Sequence, residues 1–156
     1  MLTASKAYTY LPHSKVLIVA SMVSVLSGCF SDSKADHIRD YLQHNIEFTQ
    51  NGWKITDVHE GRQGYYVSIT MGHNDENSYK FLYNMAKNRR NKNKFVDNLD
   101  TTYQSRLKAL CPNSQSERGA DFWQDMGEQK FFDMSITIKD FGKGVVAESY
   151  CHRPEA

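Results

Sequence analysis

Tyr65-Tyr66-Val67-Ser68-Ile69-Thr70-Met71 is the stretch whose reading decides the fold class. Tyr65, Val67, Ile69 and Met71 alternate with Tyr66, Ser68 and Thr70, and side chains two apart share one face of a strand. Upstream, Trp53 and Ile55 alternate with Lys54 and Thr56, and His59-Glu60-Gly61-Arg62-Gln63-Gly64 supplies turn chemistry between the two runs. The segment therefore predicts a hairpin with one apolar face. Downstream, Phe132, Met134, Ile136 and Ile138 alternate with Asp133, Ser135 and Thr137. Asp140-Phe141-Gly142-Lys143-Gly144 reads as a turn and residues 145–151 as a fourth strand.

Helical spacing fills the rest. Ala35, Ile38 and Leu42 predict a helix over 35–44, with Ser33 to cap it. Gly72-His73-Asn74-Asp75 breaks the strand pattern. Tyr79, Leu82, Met85 and Ala86 then predict a helix over 76–90, with Asp75 as its cap. Phe95, Leu99, Tyr103, Leu107 and Leu110 predict a long amphipathic helix over 95–110 that stops at Cys111-Pro112. Ala120, Trp123 and Met126 predict a short helix ended by Gly127. The fold class that follows is α+β in two layers. Two hairpins make one four-stranded antiparallel sheet, amphipathic helices cover its apolar face, and one disulfide joins the layers.

The chain has 156 residues, 3 Cys and a formal net charge of +1. That length suits a single domain, 35–151, once a targeting segment is set aside. Residues 152–156 read as a flexible tail. Near-balanced charge argues against a bulk pull toward nucleic acid.

Residues 1–15 carry Lys6, His13 and Lys15 and no acid, and Val16 through Leu26 runs without a charge. A basic segment followed by a short apolar one reads as a secretory signal. The run falls well short of the ~20 residues a membrane-spanning helix needs. It ends in Leu26-Ser27-Gly28-Cys29, which resembles the lipobox of bacterial lipoproteins. The resemblance implies a signal peptide over 1–28, a lipidated Cys29 and a tether over 29–34. Acyl chains on Cys29 would anchor the protein, each buried methylene contributing ~0.8 kcal/mol. In enteric lipoproteins an Asp after the cysteine retains the protein in the inner membrane. Phe30 stands there in this chain, so the resemblance implies the outer membrane, facing the periplasm.

With Cys29 assigned to lipid, Cys111 and Cys151 remain. An even pair in a small exported domain predicts a disulfide. Closing a loop of about 41 residues contributes roughly 4 kcal/mol by chain-entropy arithmetic. The competing reading is a catalytic thiol at Cys151 beside His152. Adjacent residues on a strand point to opposite faces, which works against that pair.

No Gly-rich phosphate loop, HExxH, paired CxxC or GxSxG occurs. His37 and His44 are seven apart, where a zinc pair on one helix face wants four. Asp75 and Glu76 suit a helix N-terminus, and Asp97 and Asp100 read as solvated charges. The expectation is a protein that is not an enzyme and needs neither metal nor cofactor. Lys87, Arg89, Arg90, Lys92 and Lys94 put five cations in eight residues. Such a run reads either as a solvated inter-helix segment or as a docking patch for an acidic partner or anionic head groups, each cation worth up to ~1 kcal/mol there. It lacks interleaved aromatics to stack bases, so nucleic acid is not its partner. Trp53, Tyr65, Tyr66 and Tyr79 can build core or line a groove.

The layout as a whole resembles the small α/β pilotins of type II secretion systems, lipoproteins that guide a secretin to the outer membrane. The pieces that carry the resemblance are Leu26-Ser27-Gly28-Cys29, Thr102-Tyr103-Gln104, Cys111-Pro112, the strand Phe132–Ile138 followed by Asp140, and Cys151. The chain departs from that layout in longer spacings on both sides of Cys111 and in the basic run. The resemblance implies a monomer that holds a helical segment of a secretin subunit in a groove between helix 95–110 and the sheet. Lipoproteins of entry exclusion, of conjugation machinery and of toxin immunity share the size, the lipobox and the lack of catalytic motifs, so those partners stay open.

Overall fold

The chain leaves its second strand at Thr70 and re-enters the sheet at Phe131 only after three helices, and this long crossover sets the topology. A computed structural model describes residues 32–50, 52–87, 92–139 and 144–154. Its elements run α1 (Ser33–Thr49), β1 (Lys54–Glu60), β2 (Tyr65–Thr70), α2 (His73–Lys87), α3 (Lys92–Lys108), α4 (Glu117–Asp125), β3 (Phe131–Thr137) and β4 (Val145–His152). The sheet order is β1-β2-β3-β4.

Both hairpins form: β1 pairs antiparallel with β2, and β3 with β4. The expected antiparallel join between them does not. β2 and β3 run parallel, Tyr65 opposite Phe132 and Thr70 opposite Thr137, so the α+β sheet is mixed. The reason is the connection. A hairpin reverses the chain, whereas a crossover long enough to hold helices can bring it back in the same direction.

The period-two pattern sorts the sheet as the sequence predicts. Val58, Tyr65, Val67, Ile69, Phe132, Met134, Ile136 and Cys151 are buried in one cluster with the apolar faces of the helices. Ile38, Leu42 and Ile46 come from α1, Tyr79 from α2, Tyr103 and Leu107 from α3, and Phe122 and Trp123 from α4. The second set, Tyr66, Ser68, Asp133 and Ser135, stays half-buried on the opposite face.

Several local expectations shift. Asp32, not Ser33, caps α1, its carboxylate accepting from the amides of Lys34 and Ala35. Ser33 and Lys34 are thus helical rather than part of a tether, because Asp32 is also fixed by the Tyr65 hydroxyl, which donates to it at 2.9 Å. The helix runs five residues past its expected end, to Thr49. Asp75 does not cap α2. It lies in the first turn, and its carboxylate accepts from Trp53 and Arg106. α2 also buries Tyr79 and Ala86 and packs Tyr83 on the core, which turns Met85 out with Phe81. In α4 Ala120 is exposed and Phe122 takes the core position. The tail begins later than expected. His152 pairs with Phe131 in the sheet, and the Arg153 amide donates to the Lys130 carbonyl at 2.7 Å.

Among the described residues no helix is long and apolar enough to cross a membrane.

Candidate binding groove on the open sheet face

With the helices packed on one face of the sheet, the pleat leaves the other face to build a surface. Register places its side chains in rows across the strands. His59 is opposite Tyr66, Tyr66 opposite Asp133, and Asp133 opposite Tyr150. The next row runs Asp57, Ser68, Ser135, Glu148. One row is thus aromatic around a central carboxylate. The other is low in the middle, where two serines leave the floor open, and acidic at both ends.

Helix α3 makes this face a trough rather than a plane. It lies along the β4 edge, held at its C-terminal end by the Cys111–Cys151 disulfide, with Cα atoms 5.3 Å apart. The Lys108 ammonium donates to the Tyr150 carbonyl at 3.2 Å and sits 4.8 Å from the Tyr150 ring centre. Gln104 projects from α3 into the rim. The resulting cavity of about 680 Å³ is lined by His59, Tyr66, Ser68, Asp133, Ser135 and Tyr150, with Gln104 and Glu148 closing the α3 side. A second cavity of about 350 Å³ shares Gln104 and Glu148 with it and adds Asp97, Asp100 and Thr101. A cavity thus lies between α3 and the sheet, on the polar face. Tyr66 lines it, whereas Trp53, Tyr65 and Tyr79 are core.

Behind the wall, Tyr79 is fully buried, and its hydroxyl donates to Asp100 Oδ1 at 2.7 Å. Burial, then the Asp100 bond and charge, push the Tyr79 phenol well above its ordinary value. At the other end of α3, Arg106 ties its helix to the α1–β1 connection and to α2. Its Nε donates to Gln50 Oε1 and its Nη2 to Asp75 Oδ2, both at 2.7 Å. Its guanidinium lies 4.6 Å from the Trp53 ring centre and 5.1 Å from that of Tyr103. Burial alone raises the Asp75 pKa. The bonds from Arg106 and Trp53 and the Arg106 charge outweigh it and hold the carboxyl below its ordinary range. Burial, then the Asp75 charge, raises Tyr103, with Arg106 opposing.

The other candidates do not converge. His37 stacks on Phe122 with ring centres 5.0 Å apart, while His44 lies against Phe48. Among the described residues no group of three His, Cys, Asp or Glu is placed to hold a metal. Cys151 is bonded to Cys111, and His152 stacks on Tyr150 on the opposite face, so the adjacent pair forms no nucleophile and base. Lys87 and Lys94 of the basic run are exposed. Arg89 and Arg90 lie outside the described residues, as do the Lys92 side chain and the lipobox with Cys29. Sequence reasoning missed Asp133, Glu148 and Tyr150. Their signal was present as the polar positions of strands read only for their apolar ones.

No protein-family model, curated protein or solved structure matches the chain.

Proposed function

We propose that this chain is a lipid-anchored protein of a bacterial cell envelope whose folded domain binds another envelope protein, as a pilotin holds a secretin subunit during delivery to the outer membrane. The observation that carries the reading is the trough between α3 and the open sheet face, a concave surface of about 680 Å³ on a disulfide-bonded domain. A lipobox before such a domain supports the anchor, because Cys29 would become the lipidated N-terminus. The disulfide supports an oxidising compartment. The groove has the dimensions of a binding site, and its residues are those of recognition. Hydroxyls, an amide, carboxylates and tyrosine rings can hold a peptide, and none sits beside an activated nucleophile.

The test is a crosslinked pull-down of the native protein from its own membranes, with partners identified by mass spectrometry. A secretin subunit enriched above all other envelope proteins is the expected result. A conjugation-channel protein or a toxin in its place would transfer the scaffold to those systems. Recovery of the chain alone would overturn the binding role.

A further inference from the structure

We infer that the open sheet face recognises an arginine-bearing segment of its protein partner, with Asp133 as the central acceptor between Tyr66 and Tyr150. This rests on the protein-binding reading above and specifies the chemistry of the partner.

Charge is the first argument. The two adjoining cavities are lined by Asp133, Glu148, Asp97 and Asp100, and among the described residues no Lys or Arg lines either. Among those residues Asp133 and Glu148 also take part in no ion pair. A half-buried carboxylate on a face of small polar groups gains most from a cationic partner that brings its own hydrogen-bond donors.

Ring geometry selects arginine over lysine. Tyr66 and Tyr150 flank Asp133 in a single row, since both are its register partners. A planar guanidinium can stack on a tyrosine ring and direct its donors at the carboxylate, whereas an ammonium offers only a point charge. The molecule already builds this arrangement once. Arg106 lies over Trp53 and Tyr103 and donates to Asp75. The open face likewise sets rings beside a carboxylate, although here Lys108 lies 4.8 Å from the Tyr150 ring centre, His152 stacks on Tyr150 and His59 on Tyr66, so a guanidinium would join rings that already have neighbours. Ser68 and Ser135 leave depth for the side chain to enter, and Glu148 with the acids of α3 extends the acidic track for a second basic residue one or two helical turns away.

The test uses the mature, disulfide-bonded protein and a 16-residue alanine-rich helical peptide with arginines at three positions four apart. Companion peptides carry lysine, citrulline or glutamate at the same positions. The expected result, by fluorescence anisotropy, is that the arginine peptide binds at least tenfold more tightly than the citrulline peptide and more tightly than the lysine peptide. Asp133→Asn, an isosteric change on a solvent face, should weaken the arginine peptide at least tenfold while leaving the circular dichroism spectrum unchanged. Asp121→Asn, on α4, should bind as the parent does. Equal binding of arginine and citrulline peptides, or an Asp133→Asn variant that binds like the parent, would overturn the inference. A photoreactive residue in place of Gln104 separates this failure from failure of the proposed function. A crosslink in cells to a partner segment without basic residues keeps the binding role and removes the arginine chemistry. Capture of the partner by the native protein with no crosslink at position 104 removes the groove itself.

Discussion

Trp53 and Asp75, twenty-two positions apart in sequence, are joined by an indole-to-carboxylate hydrogen bond of 2.6 Å, and the oxygen that accepts it, Oδ2, is the one that receives Arg106. One carboxylate thereby ties the start of β1 and the first turn of α2 to the last turn of α3. Where a cap residue would satisfy its own helix, Asp75 instead satisfies two donors from other elements. Gly72 helps start the helix, its carbonyl accepting from the Glu76 amide at 2.9 Å.

Replacing Asp75 by Asn keeps the shape and removes the charge that both donors answer. Hydrogen bonds to charged groups contribute more than neutral ones, and the variant should lose about 2 kcal/mol at neutral pH, measured by urea unfolding. The pH dependence has a definite sign. Asp75 lies below its ordinary value of 3.8 in the folded protein, so the native state binds its proton less readily than the unfolded chain. Its contribution is present above 3.8 and is lost as pH falls through the lower folded value. The parent should therefore lose stability below about pH 4 faster than Asp75→Asn, and the difference between the two should shrink with acidification. A constant difference from pH 7 to pH 2 would show that packing, not charge, sets the effect.

How much of this was legible in the sequence differs by element. The strands were clear because period two is a strict signal: Tyr65, Val67, Ile69 and Phe132, Met134, Ile136 are buried as their alternation requires. Pairing direction was less so. It depends on where the crossover returns the chain, which no local pattern in β2 or β3 encodes. The face of α2 was misjudged because Phe81, Leu82, Tyr83 and Met85 offer apolar side chains on more than one side. Packing then left Phe81 63% and Met85 42% exposed. The lining of the cavity beside α3 was not legible. An alternating strand read for its apolar half says what the core is, and only register across four strands puts Tyr66, Asp133 and Tyr150 in one row.

Gly119 is a second position that tertiary packing decides. A Cβ built there would lie 2.1 Å from the Asn113 carbonyl oxygen, and that oxygen already accepts from the Ser116 amide at 3.0 Å and its hydroxyl at 2.8 Å. The loop cannot retreat without disturbing the cap of α4, where Ser116 accepts from the Gly119 amide. Alanine favours helices in general, yet Gly119→Ala should destabilise by about 1–3 kcal/mol through overpacking. Thermal unfolding checks it. A variant as stable as the parent would mean that the 113–116 loop moves freely from α4.

The Cys111–Cys151 bridge joins the end of α3 to the last strand across a sequence separation of 40. Its removal by Cys111→Ala with Cys151→Ala should cost roughly 4 kcal/mol, chiefly through the entropy regained by the unfolded chain. The loss should concentrate locally as well. With the bridge gone, α3 loses its covalent tie to β4 and keeps the Lys108 contact and packing, so amide exchange should accelerate in α3 and β4 before β1 and β2. Uniform acceleration across the sheet would show that the bridge acts on the unfolded state alone.

Anchoring is the last prediction, and the position of Asp32 sharpens it. Asp32, the first described residue, caps α1 and receives the Tyr65 hydroxyl, and it stands three positions after Cys29 in the sequence. Three residues span at most ~11 Å in any conformation, so the proposed lipid on Cys29 would keep Asp32 within that reach of the anchor. Cys29→Ala should move the protein from the membrane fraction to the soluble fraction. Mass spectrometry of the parent should find the mature chain starting at Cys29 with diacylglycerol and an additional acyl chain. Inserting ten Gly/Ser residues between Phe30 and Ser31 should preserve membrane fractionation and the urea midpoint, because the Asp32 contacts are untouched. Partner capture should fall if the groove has to meet its target at the membrane surface, and should be unchanged if the target reaches into the periplasm. Membrane fractionation that survives Cys29→Ala would show that lipid on this cysteine is not the anchor.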